Sequence, residues 1–220
     1  MKKIKDPVSG FTHLAAAIAS VVGLVFLVIQ ATKWGEGAWD VVSFSIFGTG
    51  LILLYLCSSI YHLCNVSKKT TVVLRKLDHI MIYILIAATY TPICLGPLRG
   101  PWGWSIFGVV WGLAMIGLFL TIFWINAPRW LTTGIYLAMG WTVVIAVYPL
   151  ITIFQELGAL SSLWWLLAGG LFYTLGAILY GFKWPRWKNP YFGFHELFHL
   201  LIILGSLCQY WFIIHYVLYL

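Results

Sequence analysis

Seven apolar runs, each close to the roughly 20 residues a helix needs to cross a hydrocarbon core, occupy most of this 220-residue chain. They extend from Leu14 to Ala31, Val41 to Leu63, Asp78 to Leu95, Trp104 to Ile125, Leu131 to Leu150, Leu163 to Phe182 and His195 to Tyr219. The joining segments are short and polar or marked by Pro and Gly, among them NVSKKTTVVLRK, GPLRGPWG, NAPR and KWPRWKNP. The pattern predicts an all-α membrane protein, a seven-transmembrane helix bundle forming a single domain over residues 1–220. Composition agrees: 62% of residues are hydrophobic and only 9% charged, outside the range of a soluble globular domain.

The basic start MKKIKD followed by an apolar run invites comparison with a signal peptide. Its small residues, Ala15 to Ala17 and Ala19, stand at the front of that run rather than behind it, and the run is too long for an h-region. It is read as the first span. A balance of 13 Lys plus Arg against 6 Asp plus Glu acts here as a topology signal rather than a nucleic-acid footprint. With a cytoplasmic N-terminus, the inner segments hold Lys2, Lys3, Lys5, Lys68, Lys69, Arg75, Lys76, Arg129, Lys183, Arg186 and Lys188, which leaves Lys33 and Arg99 outside. That asymmetry obeys the positive-inside rule, places the C-terminus outside, and leads to a multi-pass cell-membrane protein in contact with the lipid bilayer. Trp residues near span ends, such as Trp34, Trp39, Trp124 and Trp187, suit interfacial belts. Cys57, Cys64, Cys94 and Cys208 lie in or beside spans without a C-x-x-C pair, so they are read as small apolar packers.

With the topology set by lysines and arginines, the depth of the histidines follows independently. His13, His62, Asp78, His79, His195 and His199 all fall at the cytoplasmic ends of spans, and His215 alone at the outer side. Ser58 and His62 are four apart, as are His195 and His199, so each pair shares a helix face. Two helices therefore offer imidazoles at one depth and a third offers a carboxylate. Zinc suits such a set, since catalytic sites typically use three protein ligands and keep one open position. His62, His195 and His199 supply the three. Asp78 can hold or deprotonate a water at the open position, or orient a ligating histidine, and Ser58, one turn deeper than His62, can hydrogen-bond that water, a substrate carbonyl or a developing oxyanion.

The stretch HELFH also satisfies the H-E-x-x-H pattern of metalloproteases. No soluble domain frames a peptide cleft, however, and the third ligand must come from another span. Glu196 is read instead as an acid at a helix N-terminus, where negative charge is favourable. His13 and His79 are read as hydrogen-bonded core histidines, and Pro92 as a kink.

SSIYH at the end of the second run, LDH through AATYTP in the third, and HELFH leading to LGS in the seventh carry a resemblance. The chain is similar to the hemolysin III family of bacterial membrane proteins, to the progestin and adiponectin receptor family and, more remotely, to the alkaline ceramidases. The similarity covers nearly the whole chain. It implies a seven-helix bundle with the N-terminus inside, zinc near the cytoplasmic face on His62, His195 and His199, Asp78 beside the water, and Ser58 as the serine four before the first ligand. Gln209 departs from the pattern, because related sequences often carry histidine there. The functional expectation is a metal-dependent hydrolase of a lipid amide or ester. The alternative is a non-catalytic, zinc-stapled sensor or regulator of membrane state. A pore-forming cytolysin is disfavoured because no span shows a continuous polar stripe, and an ion transporter because no charged residue lies near the midplane.

Overall fold

A computed structural model describes residues 4–35, 37–187, 189 and 192–217, and all its regular structure is helical. Four members of the sequence reading, Lys2, Lys3, Lys188 and Tyr219, lie outside the described residues. The elements are α1 (Pro7–Trp34), α2 (Ala38–Leu63), α3 (Lys68–Leu95), α4 (Pro101–Phe123), α5 (Arg129–Gly140), α6 (Val147–Glu156), α7 (Leu163–Phe182) and α8 (Phe194–Val217). Among the described residues, six helical units are long and apolar enough to cross a hydrocarbon core: α1, α2, α4, the joined stretch Arg129–Glu156, the stretch Leu160–Phe182, and α8. The protein is thus a multi-pass membrane protein.

α3 has 28 residues but is not among those six. Its first turns carry Lys68, Lys69, Arg75 and Lys76, while Ala87 to Leu95 is continuously buried. Neighbouring helices rather than lipid surround its second half. The helix also begins ten residues before the apolar run, because the Ser67 hydroxyl accepts the Thr70 amide at 3.2 Å as an N-cap. Lys76 then reaches the carbonyl of Ile122 at 2.6 Å and Arg75 the side chain of Asn126 at 3.5 Å, tying the start of α3 to the end of α4.

The fifth apolar run is not one unbroken helix. Between α5 and α6 the chain tightens into a 3₁₀ stretch, Trp141–Ala146. Pro149 explains the position: it has no N–H, and its ring collides with the carbonyl four residues earlier, that of Ile145. In lipid the disturbed backbone must find other partners. Tyr90 from α3 bonds two groups at the start of this stretch, donating to the Gly140 carbonyl at 2.6 Å and accepting from the Val143 amide at 2.9 Å. Pro92, by contrast, sits inside α3, which continues to Leu95.

Packing of α2 against its neighbours is close because two of its residues lack a side chain. A Cβ on Gly48 would lie 2.6 Å from Leu24 of α1, and one on Gly50 would lie 2.8 Å from the Cβ of Ala88 on α3. Small residues at helix contacts let backbones approach where no hydrophobic drive between helices exists.

Candidate metal centre

The end of α2, the start of α8 and the early turns of α1 and α3 converge on one polar cluster. His62 closes α2, and His195 and His199 occupy successive turns of α8. Each of the three offers a nitrogen or other ligand atom within 4.8 Å of the others. His62 Nε2 faces His195 Nε2 at 3.3 Å. Two nitrogens about 2.0 to 2.1 Å from a tetrahedral ion stand about 3.3 to 3.4 Å apart, so the separation of this pair suits two ligands of one metal ion. Rings of His195 and His199 lie with centroids 4.6 Å apart, and that of His62 is 5.0 Å from each. His62 and His199 are buried and His195 half-buried. An uncharged imidazole donor set in a buried place of this kind suits zinc, copper, iron or nickel better than magnesium or calcium.

Asp78, buried in α3, lies 3.4 Å from the Nδ1 of His79. Ser58, Asp78, His195 and His199 all line one cavity of about 540 Å³, together with His13 and His79. His62 is not among the residues that line it. Most of the remaining wall is apolar. Val144, Val147, Ile151, Trp164 and Leu167 line the cavity and are themselves exposed, so the cavity is not closed on its α6 and α7 side. At the far end, ten residues or about 15 Å along α8 from His199, Gln209 donates to the Leu166 carbonyl at 3.2 Å. Ser206 accepts from the Tyr55 hydroxyl at 2.7 Å and shares a 2.9 Å hydrogen bond with Tyr173.

Glu196 takes the helix-terminal place expected of it. It is the third residue of α8 and accepts the amide of Gly193 at 2.8 Å, one half of a capping box. Its other oxygen accepts the Ser9 hydroxyl at 2.8 Å, which binds α8 to α1. Both oxygens are engaged structurally, which separates it from the base of a metalloprotease.

Three features were not legible in sequence spacing. His13 is buried as a core histidine should be, but neither ring nitrogen has a hydrogen-bond partner among the described residues. It stacks instead on His199, centroids 3.8 Å apart and planes within 14°. Ser9 holds Glu196. Asp6, just ahead of α1, places its Oδ2 3.1 Å from the Nδ1 of His62. His215, at the opposite end, has its ring near Trp165 and Trp211.

Comparison with known proteins agrees with this architecture. The model of the family "Haemolysin-III related" matches residues 1–210. The chain is 40% identical over 217 residues to "Hemolysin-3 homolog" of Bacillus subtilis, covering 98% of this chain and 96% of that one. It is 36% identical over 217 residues to "Hemolysin-3" of Bacillus cereus, covering 98% and 93%. A more distant relative, "ADIPOR-like receptor IZH2" of Saccharomyces cerevisiae, is 25% identical over 218 residues, covering 93% and 69%.

Proposed function

The chain belongs to the haemolysin-III-related family, and from that premise we propose that it is a zinc-dependent hydrolase cleaving an amide or ester bond of a lipid near the cytoplasmic face. The proposal includes α3 as a seventh span, the N-terminus inside and the C-terminus outside. One observation carries the functional reading: two of the three metal-capable histidines, His195 and His199, a buried carboxylate and a serine border a cavity whose walls are otherwise apolar and that is open on its α6 and α7 side. An acyl chain fits the apolar part while its polar linkage lies among His195, His199, Asp78 and Ser58. A continuous column of water does not suit such walls, which argues against a pore.

His62, His195 and His199 would hold the ion. Zinc, when bound, supplies Lewis acidity and lowers the pKa of a coordinated water to about 7. Asp78 takes the proton of the attacking water and passes it toward the leaving group, a contribution of typically 10²- to 10⁴-fold. Ser58, on the wall of the same cavity, orients that carboxylate or the substrate carbonyl. Helices α5, α6 and α7 keep bulk water from the apolar end.

The second reading, a zinc-stapled sensor or regulator, is favoured by a different fact: the triad joins α2, the second helix, to α8, the last, and His62 and His195 are 133 positions apart in the chain. Asp78→Asn separates the two. On the hydrolase reading the variant keeps the ion and the fold but loses slow turnover of a lipid amide or ester by at least about 100-fold, measured on purified protein in lipid nanodiscs. Wild-type behaviour of Asp78→Asn in every functional assay, beside failing histidine variants, leaves the stapled regulator. Orientation has its own test. In a background without native cysteines, a cysteine near Lys68 should escape an impermeant thiol reagent in intact cells and one near Gly35 should react; the reverse pattern overturns the orientation.

A further inference from the structure

We infer that Asp6 is the positioning residue of the triad, fixing the ring of His62 so that the nitrogen opposite its own contact points at His195. The inference rests on the metal reading above. Asp6 occupies the N-cap position of α1, where an aspartate ordinarily accepts a hydrogen bond from the first turn of its own helix. It makes no such bond. Its Oδ2 instead accepts from His62 Nδ1 at 3.1 Å, while His62 Nε2 stands 3.3 Å from His195 Nε2. The two nitrogens of one ring thus have different partners on opposite sides. A neutral imidazole whose Nδ1 proton is held by a carboxylate presents an unprotonated Nε2, the form that binds metal.

The attachment has a second point. The Asp6 amide donates to the His62 carbonyl at 3.0 Å, so the short segment ahead of α1 is clamped to the last turn of α2 by main chain as well as side chain. Lys5 lies 3.7 Å from the same Oδ2 and sits over the Tyr61 ring at 3.7 Å, which steadies the carboxylate from the water side. The division of exposure is telling: the Asp6 side chain is 40% exposed and that of His62 only 3%. The charge therefore stays hydrated while its effect is delivered inward through the ring, avoiding the cost of a buried unpaired carboxylate. Among the described residues, His62 is the only member of the triad within ion-pair distance of a carboxylate. Control of the ring is concentrated at that ligand.

The test compares purified wild type with Asp6→Ala and the isosteric Asp6→Asn, using zinc in competition with a chelator and the visible spectrum of the cobalt(II)-loaded protein. Loss of an outer carboxylate typically costs roughly 10- to 100-fold in metal affinity. Asp6→Ala should fall in that range and alter the cobalt bands, with Asp6→Asn, which keeps an acceptor oxygen, between it and wild type. Unchanged thermal unfolding in both would show that the fold is intact, since the main-chain clamp remains. Wild-type zinc affinity and an unchanged cobalt spectrum in Asp6→Ala would overturn the inference while leaving the metal reading standing. A wild type that takes up neither ion would sink the metal reading and the inference together.

Discussion

Two regions of the bundle differ, although α7 packs on α8 as closely as α2 packs on its neighbours, since a Cβ on Gly169 would run into the Gln209 side chain. Where α2 meets α1 and α3, backbones approach until a single added carbon would collide, and the polar groups at that end are paired across helices through Asp6, Ser9 and Glu196. On the α5, α6 and α7 side the helix is broken, one tyrosine hydroxyl bonds two backbone groups at the break, those of Gly140 and Val143, and a cavity remains. The difference teaches a division of labour. A donor set must be held to a fraction of an ångström, which needs a closed, small-residue contact, whereas a lipid tail needs space and a way in. Both lie along α8, which contributes histidines at one end and Gln209 at the other.

Glycines on the two sides put the comparison at risk. Gly50→Leu forces α2 away from the Cβ of Ala88, and overpacking of this sort costs about 1 to 3 kcal/mol or more. The expected result is a markedly lower unfolding temperature in detergent. Gly170 on α7 lines the cavity and a Cβ there meets nothing within 4 Å. Gly170→Leu should leave unfolding unchanged or raise it slightly, leucine being the better helix former by up to about 1 kcal/mol, while reducing uptake of a fluorescent fatty-acyl probe. If Gly50→Leu is silent, or Gly170→Leu destabilises and leaves probe uptake intact, the two sides are not built as described.

Much of this site was readable without coordinates, and the reason is local. His195 and His199 are one turn apart, Ser58 and His62 likewise, and apolar flanks fix their depth, so spacing alone predicts which side chains share a face. The break in the fifth run had a signal too, in Pro149, which the length of the apolar run masked. The start of α3 was hidden because its early turns are charged, and apolar content marks lipid contact rather than helix. Asp6 had no local signal at all. It lies 56 residues from His62, in a segment that reads only as a basic N-terminus, and becomes informative once α1 and α2 are laid side by side. The stacking of His13 on His199 was invisible for the same reason, since an imidazole with no partner at helical spacing looks like any buried histidine.

The account turns on whether the three imidazoles hold one ion, and metal analysis of detergent-purified protein addresses that directly. Wild type should carry about one zinc per chain; His62→Ala, His195→Ala and His199→Ala should each lose most of it, and His215→Ala at the opposite end should keep it. Full occupancy in the three variants, or no metal in a folded wild type, would contradict the account.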